Sequence, residues 1–342
     1  MNAPTPGSHP TPNLFFDTLN GYQRTAALKA ALDLNVFTSI GTTPSTAEEV
    51  AARSEASVRG IRILCDYLTI CGFLVKTENR YALTADSAAF LDRNSPMYCG
   101  DIADFLLADT MKQSFEQLTG AVRKGGSVSE EGTTATEHEV WLKFARGMGK
   151  LMTPTAYGAA ALVTSLSQDK PSKILDISAS HGTFGIALAQ QFPQAHLVAL
   201  DWEPVLAITQ ESADVAGLSE RFSTIAGNAF TIDFGTDYDV ILIPNFLHHF
   251  NAADCTRFLA KTHAALRPGG QVVIVEFVPN ADRVSPPPAA GFSLVMLGTT
   301  PEGDAYTFAE FQNMLKEAGF ASAEFHPLPP TAESAILATK GK

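Results

Sequence analysis

The sequence predicts an α/β protein: a doubly wound parallel sheet in the carboxyl-terminal half, preceded by a smaller helical domain. Three observations predict it. An apolar run ending in Asp176 passes through a turn of small residues, Ser178-Ala179-Ser180-His181-Gly182, into an apolar helix. A second apolar run ends in Asp201, 25 residues further on. That layout suits neighbouring parallel strands that present a nucleotide-type ligand with a close-approach turn and an acid for a ribose diol. From Lys173 onward, apolar β-type runs alternate with helix-period segments, whereas helical spacing dominates before it.

The elements follow in chain order. Residues 1–12, rich in proline, read as a disordered tail and lack the basic and apolar regions of a signal peptide. Residues 13–98 read as one domain. Asn13-Leu14-Phe15-Phe16 opens a first helix, and residues 26–37 carry apolar side chains at helical spacing. Thr46 and Glu49 form a capping box for a short helix ending near Ser54. Ser57 caps another, in which Ile61, Leu64, Leu68 and Cys71 share a face and Gly72 suits the end. Residues 74–76 and 80–83 form two short strands around Glu78-Asn79. Helix, helix, helix, small hairpin is the order of a winged helix.

Residues 99–165 read as a helical linker that lines a substrate site, broken by loops at Lys124-Gly125-Gly126 and Glu131-Gly132-Thr133-Thr134. Trp141, Phe144, Met148, Leu151 and Met152 make an apolar stripe on its last helix. Core packing and the lining of a pocket for a flat apolar ligand both account for that stripe. Residues 166–342 form the sheet domain. Strands are expected at 173–177, 196–200, 222–227, 240–244 and 271–277, with a closing pair at 323–326 and 335–338.

Composition narrows the function. A chain of 342 residues with 45% hydrophobic and 18% charged residues can bury two cores. Its net charge of −12 repels phosphate backbones, so no nucleic-acid partner is expected. No apolar run reaches the ~18 residues of a membrane span. The four cysteines form no C-x-x-C pair and no zinc spacing, which points to a reducing cytoplasm and to no metal site.

Four segments carry chemistry. In the first turn, Gly182 and Gly185 can supply positive φ, while Ser178, Ala179 and Ser180 supply smallness; a plain strand-to-helix turn with Asp176 as cap is the alternative. Gly227-Asn228-Ala229-Phe230 follows a third strand. Its Asn can bond an adenine amine and its Phe can cover the ring, although a turn-favoured Gly-Asn pair reads equally well. A buried strand from Val240 runs into His248 and His249, and a histidine at that edge can accept a proton near neutral pH. Asp254 is expected to cap the next helix. A further strand ends in Glu276, which can orient a histidine by taking its second ring N–H; a solvated strand-end carboxylate is the alternative.

Together these segments resemble the S-adenosylmethionine-dependent O-methyltransferases of the caffeate, flavonoid and hydroxyneurosporene type, bacterial antibiotic-tailoring members included. The resemblance covers about residues 13 to 340. Asp176-Ile177-Ser178-Ala179-Ser180-His181-Gly182 resembles the first motif, with three glycines replaced. Gly227-Asn228-Ala229-Phe230 resembles the adenine motif, with Asn for Asp. Leu247-His248-His249-Phe250 resembles the base segment, and Leu266-Arg267-Pro268-Gly269-Gly270 the turn before the next strand.

The resemblance implies a class I methyltransferase fold, Rossmann-like, with a winged-helix dimerisation domain. It implies a homodimer of secondary metabolism that uses S-adenosyl-L-methionine and releases S-adenosyl-L-homocysteine. The acceptor would be a hydroxyl of a small aromatic or polyketide-like molecule. It implies His248 as base, oriented by Glu276, with the choice between His248 and His249 left open. The implied cofactor set is Asp176, Ser178, Gly182, Asp201, Trp202, Asn228, Ala229, Phe230 and Asn245. The implied substrate set is Phe144, Met148, Met152, His249, Phe292 and Met296, and Phe15 and Tyr22 would reach the pocket of a partner subunit.

Two departures stand out. A further Glu of plant members falls on Ala305, so either Asp304 substitutes or the site uses one acid. A lysine four residues before the base is Pro244 here. Three other readings compete: methyl transfer to carbon or nitrogen on the same fold, a winged-helix DNA-binding or cofactor-sensing regulator using Arg59 and Arg62, and a nicotinamide-dependent dehydrogenase. The acidity of the chain and Asp66 argue against the regulator, and the thinned turn and paired histidines against the dehydrogenase.

Overall fold

The computed structural model describes residues 10–129, 140–166 and 170–341. The expected loop at Glu131-Gly132-Thr133-Thr134 and most of the expected tail lie outside the described residues. The chain divides into two units, Met1–Ala103 and Asp104–Lys342.

The first unit is built from short helices with strong local stop signals. Helices α1 (Asn13–Leu19), α2 (Gly21–Asp33) and α3 (Val36–Ile40) run in succession. Strand β1 (Ser45–Thr46) leads into α4 (Ala47–Arg53), which opens with the expected capping box: Glu49 N–H donates to Thr46 Oγ1 and Thr46 N–H to Glu49 Oε2. Helix α5 (Val58–Ile70) begins where the Ser57 hydroxyl accepts Gly60 N–H, and it stops just before Gly72, whose φ is +86°. Its buried face is Ile61, Cys65 and Leu68. Leu64 and Cys71 are only half-buried, so Cys65 takes the core place expected of Cys71. Strands β2 (Leu74–Thr77) and β3 (Arg80–Leu83) complete an antiparallel sheet in the order β1-β3-β2, and α6 (Ala85–Phe90) follows.

Helix α7 (Ile102–Leu106) crosses the division, and α8 (Asp109–Glu116), α9 (Leu118–Lys124) and α10 (Val140–Leu166) precede the large sheet. Then come β4 (Lys173–Ile177), α11 (Thr183–Gln191), β5 (His196–Asp201), α12 (Glu203–Val215) and β6 (Phe222–Ala226). The chain continues through β7 (Tyr238–Pro244), α13 (Ala252–Ala265), β8 (Leu266–Glu276), α14 (Pro287–Thr299), α15 (Phe308–Glu317), β9 (Ser322–Pro327) and β10 (Ser334–Thr339). The strand order is β6-β5-β4-β7-β8-β10-β9; the first five strands are parallel, β10 runs against them, and β9, antiparallel to β10, runs with them again. This is the class I methyltransferase sheet.

Alternation along each strand explains the two layers of core. Ile174, Val240, Leu242, Val273 and Val275 face the core shared with α10 and α11. Leu175, Ile177, Ile241, Ile243, Val272 and Ile274 face the core shared with α13 and α15. Strand order reverses beside β4, whose neighbours are β5 and β7, and ligands bind such sheets at the carboxyl edge of that switch point. One local expectation changes: Asn251, not Asp254, caps α13, its side chain accepting the Asp254 N–H at 2.8 Å.

Candidate active site

A cavity of about 400 Å³ follows the carboxyl edge of the sheet. At one end lie Ser178, Ala179, Ser180, Asp201, Trp202, Asn228, Ala229 and Phe230; at the other lie His248, His249, Phe292 and Met296.

The turn after β4 is held from below. Ala179 N–H donates to Leu200 O at 3.1 Å, Ser180 N–H to Asp201 Oδ2 at 2.8 Å, and Gly182 N–H to Ala179 O at 2.7 Å. Thr209 Oγ1 donates to Ser180 O at 2.6 Å. Ser178 and Ser180 both adopt positive φ, 56° and 52°, so they supply the left-handed backbone and not smallness alone. Gly182 has φ +77° as N-cap of α11. Gly185 instead serves close packing: a Cβ there would lie 2.7 Å from Asp176 Oδ2 and 2.8 Å from Leu197 Cδ1.

Neither Asp176 nor Gly182 lines the cavity. The buried Asp176 carboxylate accepts Gly185 N–H at 2.9 Å, and burial pushes its pKa up to about 8, opposed by that bond. Asp201 is on the wall. Its Oδ2 takes Ser180 N–H and its Oδ1 takes Trp202 N–H at 2.7 Å. Burial raises its pKa to about 6 against the pull of both bonds. Asn228 Oδ1 accepts Phe230 N–H at 2.9 Å, the turn role weighed for it, while the residue also lines the cavity. Phe230 packs with Phe246, Phe250 and Phe258.

The other end is organised by Glu276, almost wholly buried at 1% exposure. Its Oε1 accepts the main-chain N–H groups of Phe246, Leu247 and His248 at 3.0, 2.9 and 3.3 Å. Its Oε2 meets His248 Nδ1 at 2.5 Å. A carboxylate this burdened with donors is an acceptor on both oxygens, so the proton of the short contact sits on His248 Nδ1 and Nε2 keeps the lone pair. Gly303 packs against the same segment, where a Cβ would lie 2.2 Å from His248 O. Asp304 is not part of this cluster: its carboxylate pairs with Arg283 at 3.0 Å and does not line the cavity.

Between the ends runs an apolar wall. Trp141, Phe144, Met148 and Met152 line it at helical spacing, whereas Leu151 faces away and is exposed. Phe292 meets His248 edge-on at 4.9 Å and stacks on Phe277 at 4.2 Å. Proline at the first position of α14 sets the start of the helix that carries Phe292 and Met296.

Two buried ionisable residues of the wall, Glu333 and His181, were not among the site residues implied by the sequence. Buried Glu333 accepts Thr155 Oγ1 at 2.6 Å and Asn245 Nδ2 at 3.1 Å, and burial raises its pKa. His181 lies between Phe144 and Phe184, accepts Thr183 N–H on Nδ1 at 3.1 Å, and is held neutral by burial, its pKa lowered to about 4. A histidine inside a turn otherwise made of small residues was the available signal for the second.

Residues 106–321 match the family model of the O-methyltransferase domain, and residues 16–93 that of the O-methyltransferase dimerisation domain. The chain is 29% identical over 325 residues to a 3-hydroxy-5-methyl-1-naphthoate 3-O-methyltransferase of Streptomyces sahachiroi, covering 92% of this chain and 91% of that one. It is 26% identical to an L-tyrosine C(3)-methyltransferase of Streptomyces lavendulae, over 92% of this chain and 88% of that one. A crystal structure of a putative O-methyltransferase from Nostoc punctiforme superimposes with a TM-score of 0.94 at 50% identity, covering 97% of this chain and all of that one. Human N-acetylserotonin methyltransferase, solved with its methyl donor, shares the fold at a TM-score of 0.84 and 21% identity, over 99% of this chain and all of that one.

Proposed function

The chain belongs to the O-methyltransferase family, and on that premise we propose that it methylates a hydroxyl of a small aromatic or polyketide-like molecule, with His248 as general base. The methyl donor is S-adenosylmethionine, which supplies an electrophilic methyl group on a sulfonium. The single observation that carries the reading is His248: its Nδ1 is tied to Glu276 and its ring lines the same cavity as Asp201.

The residues present fit the donor. Asp201 lines the cavity with a carboxylate, the group suited to a ribose diol. Ala229 and Phe230 offer an apolar wall and Asn228 an amide for a base. Asn245 Oδ1, buried without a partner, and Glu333 are acceptors suited to a cationic group. Asp176 and Gly182 act beneath this surface by shaping the turn.

A phenol with a pKa near ~10 is mostly protonated at neutral pH, so a base that takes its proton lowers the barrier. His248 is preset for that task because Glu276 fixes its tautomer and holds the loop that bears it through three main-chain bonds. General-base catalysis is typically worth about 10²–10⁴-fold, and alignment in an apolar cavity adds to it. Trp141, Phe144, Phe292 and Met296 supply flat apolar contacts for an aromatic acceptor.

The substrate class draws support from the naphthoate O-methyltransferase relative. The tyrosine C-methyltransferase relative makes the acceptor atom a matter for product analysis with labelled methyl donor. Dimer formation through the first unit is supported by its family match and by exposed Leu14, Phe15, Phe16, Leu19 and Tyr22. On helix α5, Arg62 is paired with Asp66 at 3.0 Å, which argues against a nucleic-acid-reading face. Among the described residues no helix is long and apolar enough to cross a membrane. The test of the base is His248→Ala: turnover drops at least about tenfold while donor affinity stays near normal. Unchanged turnover removes His248 from the role.

A further inference from the structure

The mechanism above leaves the second histidine without a part. His248 and His249 meet through their Nε2 atoms at 3.1 Å, with ring centroids 4.2 Å apart. Two imidazole nitrogens bond only when one bears hydrogen and the other a lone pair. The His248 proton is on Nδ1, facing Glu276, so in this contact His249 Nε2–H donates to the His248 Nε2 lone pair. His249 Nδ1 is buried with no partner, which agrees: it is then a bare acceptor, whereas the opposite tautomer would bury an orphan N–H. Burial, together with His248, holds the pKa of His249 well below the usual histidine range and keeps it a neutral single donor. Trp141 meets its ring edge-on at 5.2 Å and fixes its plane.

The lone pair that must accept a proton is thus capped by a neighbour that lines the same cavity. An incoming hydroxyl has to displace that N–H. The rings that adjoin the pair, Trp141 against His249 and Phe292 against His248, offer no strong acceptor, and Asn245 and Glu333, acceptors elsewhere on the wall, are those suited to the cationic group of the donor. An oxygen of the acceptor molecule, entering beside the hydroxyl, is placed to do so.

We propose that His249 is a specificity-determining residue that reads a second oxygen on the acceptor, vicinal to the hydroxyl that is methylated. The proposal rests on His248 being the base. The hydroxyl donates to His248 Nε2 while the neighbouring oxygen, of a hydroxyl or a carbonyl, accepts His249 Nε2–H. Vicinal ring oxygens lie about 2.7 Å apart, an ordinary O–H···O separation, close to the 3.1 Å between the two nitrogens. Two side-by-side hydrogen bonds then replace the one between the rings, and neither imidazole is left unpaired. An acceptor with an isolated hydroxyl strands the His249 donor, the arrangement by which polar sites reject analogues lacking a partner.

Two probes on one ring frame test this: 2,3-dihydroxynaphthalene and 2-naphthol, titrated calorimetrically into the protein saturated with S-adenosylhomocysteine. The diol is expected to bind at least about tenfold more tightly. In His249→Phe the ratio falls to near one with 2-naphthol affinity kept or improved, and in His249→Gln, which retains an N–H donor, part of the preference returns. No preference for the diol in the unaltered protein, failure to bind it included, overturns the proposal, as does a preference that survives in His249→Phe. The base reading fails separately, through normal turnover in His248→Ala whatever the binding ratio.

Discussion

Asp201 gives the assigned cofactor end a proton-linked signature. Its carboxylate already accepts Ser180 N–H on one oxygen and Trp202 N–H on the other, and burial still lifts its pKa to about 6. A ribose diol would add hydroxyl donors that favour the charged form, so binding draws on the ionised protein and expels the proton. The sign follows: affinity is full above pH 6 and is lost as pH falls through it. With a pKa of about 6, roughly nine-tenths of the protein is ionised at pH 7 and about a tenth at pH 5. Affinity therefore weakens about tenfold across that range, or about 1.4 kcal/mol. Burial moves two neighbours away from this window, Asp176 up to about 8 and His181 down to about 4, and the Asp201→Asn variant separates the Asp201 slope from that of any other group. Calorimetric titration of S-adenosylhomocysteine between pH 5 and 7, in buffers of different ionisation enthalpy, measures both the slope and the proton released. Asp201→Asn removes the slope and weakens binding at pH 7 by about 1.5–3 kcal/mol, the worth of hydrogen bonds to a charged group. Affinity constant within twofold in the unaltered protein, or an unchanged slope in the variant, refutes the ribose assignment.

Two other substitutions probe how the site is built. Gly303→Ala puts a Cβ 2.2 Å from the main-chain oxygen of His248 and 2.9 Å from the carbonyl carbon of His249, so the base segment has to shift. A displacement of about 1 Å in a catalytic group costs on the order of 10²-fold, and steady-state kinetics should show that loss in kcat with donor affinity unchanged. Ser178→Gly and Ser180→Gly remove left-handed strain of about 1–2 kcal/mol each, offset by glycine's extra chain entropy of about 0.5–1 kcal/mol. Thermal melts should rise by about 1–3 °C per site; a fall would mean that the serine side chains hold the turn.

What could be read from the sequence was whatever a single strand or helix decides by itself. Apolar runs marked the strands of the large sheet, because the central strands are buried on both faces and feed both cores. The stripe Phe144, Met148, Met152 was likewise legible on a helix, and Leu151 was misplaced by one step of rotation. The conformation of Ser178 and Ser180 was not legible, since propensity assigns positive φ to glycine and the hold on this turn comes from Asp201 and Thr209, elements away.

Glu333 shows the deeper limit. A residue just before a strand belongs to the amino edge of a parallel sheet, away from the site, and nothing in its own segment says otherwise. Only the reversed direction of β10, with Ser334 paired to Glu276, carries it to the carboxyl edge. There it bonds Asn245, the first residue past β7, and Thr155 on α10. The site thus takes carboxylates from strands running in opposite directions: Asp201 on the wall and Glu276 behind His248 as last residues of parallel strands, Glu333 on the wall as the residue before an antiparallel one. Strand direction is a property of the assembled sheet, which is why this acid entered the site unannounced by its local pattern.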